Sequence, residues 1–254
     1  MNDLSGKTVL VTGASSGIGF ATVRRLASTG ARVVAHYHSN ADGARAATTG
    51  YAEGDAMLVS ADLGAPGGAA ELWERAVAAA GRIDVVVLNA GIMPKVELDA
   101  PDDEWDEVLG RALQVNALSQ LALVRRALGH FSAHGAGVLI GLSSWVTQRG
   151  AGNPNLAVYA ASKAATAAAL KTVARAYAKA GVLTYLIAPG AVDTQMTADS
   201  AADRGGREAL MQTLAMGEMV PPEEIAELVA MLSGGKVRHL SGATLDINGA
   251  SYVR

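Results

Sequence analysis

Two side chains four residues apart, Tyr159 and Lys163, carry the chemistry that stands out in this sequence of 254 residues. On a helix, positions i and i+4 share one face, one turn apart. A phenol ordinarily titrates near pH ~10, and an ammonium beside it favours the phenolate. Tyr159 could then exchange a proton close to neutrality. An ordinary Tyr–Lys neighbour pair is the plain alternative. A second constellation is the run Thr12-Gly13-Ala14-Ser15-Ser16-Gly17-Ile18-Gly19. Glycine lacks Cβ, so the backbone there can turn tightly and let a phosphate come close. A helix N-terminus beyond it would offer free N–H groups and the positive end of a dipole. The spacing is not G-x-G-x-x-G, and a structural turn without ligand is the alternative. Its place at the first strand-to-helix turn favours a dinucleotide site.

These residues need a scaffold, and the hydrophobic pattern predicts one. Apolar runs of strand length occur at 8–12, 32–36, 56–60, 85–89, 138–142, 183–188 and 243–248. Helical patterns lie between them at 17–29, 67–80, 103–134, 158–180 and 223–232. Unbroken apolar strands alternating with helices predict an α/β fold: a Rossmann-type, doubly wound parallel sheet of about seven strands with helices on both faces. In such sheets ligands sit at the carboxyl ends of the strands. The pattern shows no linker and no repeat, so one domain is expected over 1–254. The stretch 195–220, rich in Met, Ala and Gly, reads as a long irregular segment and a candidate substrate lid.

Composition narrows the function classes. Half the residues are hydrophobic and 4% aromatic, so Ala, Val and Leu must do the packing. The net charge is −3, with charges interspersed, unlike the basic stripe of a nucleic-acid binder or a polybasic membrane-surface segment. No apolar run approaches the ~20 residues that span a bilayer, and residues 1–7 do not resemble a signal peptide. A cytoplasmic protein is expected. There are no cysteines, which removes disulfides, thiolate catalysis and Cys-type metal sites.

Taken together, the motifs resemble those of the short-chain dehydrogenase/reductase family, over nearly the whole chain. They occur in family order: Thr12-Gly13-x-x-x-Gly17-x-Gly19, Asp62-Leu63, Asn89-Ala90-Gly91, Asn116, Ser143-Ser144, Tyr159-x-x-x-Lys163 and Pro189-Gly190. The resemblance implies a nicotinamide-dependent oxidoreductase that interconverts a ketone and a secondary alcohol. Tyr159 would be the general acid in reduction and the base in oxidation. Lys163 would lower the pKa of Tyr159 and hold the nicotinamide ribose, and Asn116 would hold a water that relays protons to Lys163. Ser144, with Ser143 as the alternative, would bond the substrate oxygen. Gly13, Ser15, Ser16, Gly17, Ile18 and Gly19 would face the pyrophosphate. Asp62 and Leu63 would take the adenine, Asn89, Ala90 and Gly91 the ribose, and Pro189, Gly190, Val192 and Thr194 the carboxamide side. Trp145 is a candidate substrate contact. Family members form tetramers and dimers, so a homotetramer or homodimer is expected.

The chain departs from the family pattern in places. The interval from Ser144 to Tyr159 is two residues longer than usual, and that from Trp105 to Asn116 about four. Four residues is close to one helical turn, which would preserve the face Asn116 presents. Ala188 stands before Pro189 where the family often has Asn.

The end of the second strand bears on cofactor choice. Tyr37 occupies the position where NAD-preferring members carry an acid, and none occurs until Asp42. His38, Ser39 and Asn40, with Ser15 and Ser16, could bond a 2′-phosphate, although neither segment holds an Arg or Lys. The reading favours NADP(H), with NAD(H) possible. The alternative for His36 and His38 is a strand-end pair with no ligand role. The expected activity is an NADP(H)-dependent ketoreductase acting on a small-molecule carbonyl, such as a 3-oxoacyl thioester or related ketone. Rivals are an NAD(H)-dependent alcohol, sugar or steroid dehydrogenase and a cofactor-binding regulatory protein without catalysis. No metal site is expected. His130 and His134 have ligand-like spacing but no third partner in sequence, and read as a solvated helix end.

Overall fold

The structure, a computed structural model, describes residues 3–202 and 205–254. Seven strands among them form one parallel sheet in the order β3-β2-β1-β4-β5-β6-β7. The strands are β1 (Thr8–Val11), β2 (Arg32–Tyr37), β3 (Ala56–Ser60), β4 (Val85–Leu88), β5 (Gly137–Leu142), β6 (Val182–Pro189) and β7 (Thr244–Ile247). β1, β4 and β5 are buried along their whole lengths, which is why they read as unbroken apolar runs.

Side-chain alternation sorts the core into two layers. Val9, Val11, Val33, Val85, Val87 and Ile140 point to one side of the sheet. There they meet Val23 and Leu26 of α1 (Gly17–Ala27) and Ile225 and Val229 of α10 (Pro222–Ser233). Leu10, Val34, Val86 and Leu139, each one residue out of phase, point to the other side. They meet Leu72 of α3 (Gly68–Ala80), Leu123 and Phe131 of α5 (Ser119–His134) and Leu170 of α7 (Ala157–Tyr177).

The order of connection reverses between β1, which leads to β2 on one side, and β4, its neighbour on the other. Loops leaving the two strands diverge there and open a crevice. The glycine turn after β1 and the Asn89 segment after β4 flank it.

Several expectations are corrected. The pattern at 103–134 is not one helix: α4 (Asp102–Leu113) passes through a π-helical turn, Gln114–Leu118, into α5. In that turn the Ser119 N–H reaches back to the Gln114 carbonyl, and Asn116 is buried at its centre. π-Turns widen the helix by about one residue and recur at functional sites. The stretch 195–220 is not irregular throughout: it holds α8 (Gln195–Ala201) and α9 (Gly206–Gln212), while residues 203–204 lie outside the described residues. Two short helices had no clear signature, α2 (Ala41–Ala47) and α6 (Val146–Arg149). The Asn40 side chain caps α2, accepting from Gly43 N–H at 2.9 Å. That bond occupies the Asn40 Oδ1 acceptor, while Nδ2 stays a donor toward the Ser15 carbonyl at 3.4 Å.

Candidate active site

A cleft of about 960 Å³ opens at the carboxyl ends of the strands. The expected site residues line its wall except four: Gly19, Ser39, Asn40 and Asn116. Ser39 is exposed to solvent. Of the segment 37–40, His38 alone among the described residues reaches the cleft wall.

One end of the cleft is built around the glycine turn. Gly13 and Gly17 hold φ angles of +67° and +51°, which side-chain-bearing residues rarely adopt. Gly19 serves packing: a Cβ there would stand 2.1 Å from the Gly13 carbonyl oxygen. α1 then begins at Gly17, with Ser16 providing no side-chain cap and no acid in the first turn. The N–H groups at the start of α1 thus remain open to an anion.

Buried and half-buried polar side chains brace this turn. Asn89 donates from Nδ2 to the carbonyls of Thr12 (2.8 Å) and Gly13 (3.1 Å). The Thr12 hydroxyl accepts from the backbone N–H groups of Asn89 and Ala90, both at 2.9 Å. His36 accepts the Gly13 N–H at Nδ1 (3.1 Å) and meets the Ala61 carbonyl through Nε2 (3.1 Å). His36 is therefore no idle strand-end histidine, and the motifs missed it. The available signal was a polar side chain inside a buried apolar strand, which must find partners. Asp62 accepts Gly64 N–H at 2.8 Å and stands 3.9 Å from His38 Nε2. Arg111 also lines the cleft without any motif having marked it.

The other end holds the reactive groups. α7 is rich in Ala, the strongest helix former, and carries Tyr159 and Lys163 on its cleft face one turn apart. Both side chains are buried. Burial pushes the Tyr159 phenol above its ordinary value, while a hydrogen bond from the Ser144 hydroxyl acts against that shift. Burial also lowers the Lys163 ammonium to about 8. Lys163 donates to the Leu142 carbonyl at 2.8 Å. In this arrangement the Lys163 ammonium is directed at the end of β5. A Cβ at Gly91 would meet Asn116 Oδ1 at 3.0 Å and Lys163 Nζ at 3.4 Å, so this glycine leaves room where both groups converge.

Asn116 stands behind the wall. Its side chain accepts Ile92 N–H (2.8 Å) and donates to the Ile92 carbonyl (2.8 Å) and Ser162 Oγ (2.9 Å). Its own carbonyl accepts from Thr166 Oγ1 at 2.7 Å. In this geometry it pins the segment after β4 to α7.

Trp145 follows Ser144 in the wall, its N–H donating to the Pro189 carbonyl at 3.0 Å. The Arg149 guanidinium lies over the indole, 4.3 Å from the ring centroid. Thr194 caps α8 by accepting Thr197 N–H. Among the described residues no group of three or more His, Asp or Glu could hold a metal ion. His130 is not a solvated helix end: its Nε2 accepts Ile83 N–H at 3.1 Å, and its ring meets Trp73 edge-on at 5.6 Å.

The arrangement fits a dinucleotide lying from the α1 N-terminus to Tyr159. The family model described as short chain dehydrogenase matches residues 7–205. The chain belongs to the short-chain dehydrogenase family. It is 37% identical to 3beta-hydroxysteroid dehydrogenase 1 of Eggerthella lenta, over 98% of this chain and 94% of that protein. It is 35% identical to cis-4-hydroxycyclohexanecarboxylate dehydrogenase of Sinomonas cyclohexanicum, over 96% and 95%. The angucycline C-6 ketoreductase LanV, solved with bound NADP, superposes with a TM-score of 0.84 at 31% identity, covering 98% of this chain and 96% of that one. This short-chain dehydrogenase is thus an oxidoreductase working between CH–OH and C=O groups. No helix among the described residues is long and apolar enough to cross a membrane.

Proposed function

We propose that this short-chain dehydrogenase interconverts a ketone and a secondary alcohol with NADP(H), and that Tyr159 exchanges the proton at the substrate oxygen. The observation that carries this reading is the convergence of Ser144, Tyr159 and Lys163 on the same cleft as the glycine turn. When bound, the nicotinamide supplies the hydride. The chain's own groups do the rest. Tyr159 Oη donates its proton to the substrate oxygen in reduction and takes it back in oxidation. Ser144, beside that phenol in the cleft wall, holds the substrate oxygen next to it. Lys163, freed from the Leu142 carbonyl, binds the nicotinamide ribose and places a positive charge behind Tyr159. Asn116 keeps Gly91 and Ile92 in position for this approach.

The substrate end of the cleft is lined by Met93, Trp145, Val146, Leu156 and Leu210. These walls suit a largely apolar skeleton. The relatives named for a hydroxysteroid and a hydroxycyclohexanecarboxylate, at 37% and 35% identity, lie nearer than the 3-oxoacyl-[acyl-carrier-protein] reductase of Escherichia coli at 30%, which favours a ring-borne ketone or alcohol over an acyl thioester. We read residues 195–220 as a lid that closes over this end. For the cofactor, Tyr37 holds the position where NAD-preferring members of the family carry an acid, and His38 lines the cleft wall. The deciding experiment is a screen of ring ketones, ring alcohols and 3-oxoacyl esters with NADPH and NADH, followed at the nicotinamide absorbance. Turnover of a ring ketone with a lower KM for NADPH is expected. A preference for NADH would overturn the cofactor reading, and turnover of acyl esters alone would overturn the substrate reading.

A further inference from the structure

We propose that His36 is a positioning residue for the dinucleotide site: one neutral imidazole clamps the glycine turn to the end of β3. The pyrophosphate-facing and adenine-facing segments are thereby set relative to each other before any ligand binds. This inference rests on reading the cleft as the cofactor site.

His36 is 2% exposed, in a strand whose inner neighbours Val33, Val34 and Ala35 are fully apolar. A polar ring in such a place must satisfy both nitrogens. The partners dictate how it does so. Gly13 offers an N–H, which can only donate, so Nδ1 must be bare. Ala61 offers a carbonyl, which can only accept, so Nε2 must carry the hydrogen. One tautomer is forced, and a second proton would set two N–H groups against each other. The depressed pKa of His36, about 4 and caused chiefly by burial, agrees with that geometry. The backbone adds a third tie, because the His36 carbonyl accepts Ala14 N–H at 2.7 Å.

The two clamped segments are those the cofactor needs together. Gly13 begins the turn that leads into α1, and Ala61 immediately precedes Asp62 and Leu63 in the cleft wall. They leave strands that are not neighbours, with β2 between them. The backbone ladder carries β2 past the neighbouring strand ends on each side, through Ala14 N–H to the His36 carbonyl (2.7 Å) and Ala61 N–H to the Tyr37 carbonyl (3.1 Å). The His36 ring adds to these pairwise bonds a direct side-chain tie from Gly13 across β2 to Ala61.

Two near-isosteric substitutions separate the bonds. His36→Asn keeps an acceptor near Nδ1 and gives up the contact with Ala61. His36→Gln keeps a donor near Nε2 and leaves the Gly13 N–H without an acceptor. Dissociation constants for NADPH and NADH are measured by calorimetry, with kcat at saturating cofactor and circular-dichroism melting for each variant. Exchange of the Gly13 amide in the ligand-free protein is followed alongside. His36→Gln is expected to weaken both cofactors alike by about tenfold or more, the size expected when a buried donor loses its acceptor. Its kcat at saturation should stay within about twofold of wild type, and its Gly13 amide should exchange faster. His36→Asn should fall between wild type and His36→Gln in affinity and keep the amide protected. Affinities of His36→Gln within about twofold of wild type would overturn the inference. A loss of kcat without a loss of affinity, or a loss confined to NADPH, would overturn it as well. Failure of the wild type itself to bind either dinucleotide would instead bring down the cofactor reading on which it stands.

Discussion

The two ends of the cleft are held by different forces. At the glycine turn, His36, Asn89 and Thr12 all direct their side chains at backbone atoms of the turn or of its neighbour after β4. At the lid end, Ala191, Leu214 and Met219 form a small apolar cluster, with Trp145, Leu210 and Met211 packed against it. The lid's charged tie, Arg207 forked onto Asp193, lies exposed. Hydrogen bonds to backbone fix direction and position, whereas Met-rich apolar contacts tolerate sliding and repacking. A dinucleotide presents the same pyrophosphate every time, so a rigid cradle suits it. The proposed lid over the substrate end, which would close and reopen, suits the softer construction.

The largest expected effect lies where the two ends meet. Tyr159→Phe should lower kcat by ~10²–10⁴-fold while changing dinucleotide affinity only a few-fold. Steady-state rates beside a binding titration check this, and retention of more than about a tenth of the rate would remove Tyr159 from its role.

Acid should break the rigid end selectively. The unfolded chain protonates His36 near 6.5, but the folded protein resists until about 4. The unfolded state therefore binds the extra proton first, and stability present above pH 6.5 drains away as pH falls toward 4. The slope is on the order of 1.4 kcal/mol per pH unit within that window. Melting temperatures against pH should fall more steeply for wild type than for His36→Asn, and parallel curves would contradict the assignment.

A smaller change sharpens cofactor choice without touching the clamp. His38→Asp would place a carboxylate in the cleft wall at the end of β2. Two like charges ~4 Å apart repel by ~4 kcal/mol at an effective dielectric of 20, an upper range for an exposed site. The ratio of kcat/KM for NADPH to that for NADH should drop by about tenfold or more. An unchanged ratio would mean that this segment does not read the 2′-phosphate.

The smallest effect belongs to the soft end. Arg207→Ala cuts an exposed ion pair and should leave the melting temperature essentially unchanged. Hydrogen exchange should nonetheless speed up through α9, and in the intact protein protection there should rise when substrate and cofactor bind together. Strong, equal protection in the free and bound states would argue that 195–220 is no lid.

The sequence by itself determined the architecture and most of the cleft wall. Unbroken Val/Leu/Ile runs between helical patterns can satisfy their burial only in a covered parallel sheet, and that sheet brings residues 12–19, 62–63, 89–91, 144–163 and 189–194 to one edge. These segments were legible because each is local: a turn needs its glycines, and an i, i+4 pair needs only a helix. What tertiary structure decided are pairings between distant segments. No pattern within 32–36 says that His36 will grip Gly13 and Ala61. None says that Asn116 will spend its amide on Ile92 and Ser162, or that the Asn40 side chain will cap α2. The π-turn at Gln114–Leu118 was equally hidden, since a helical periodicity absorbs one extra residue without losing its apolar face. Buried polar side chains take whichever partner the fold delivers, and that choice is made across the sheet, where sequence spacing carries no information.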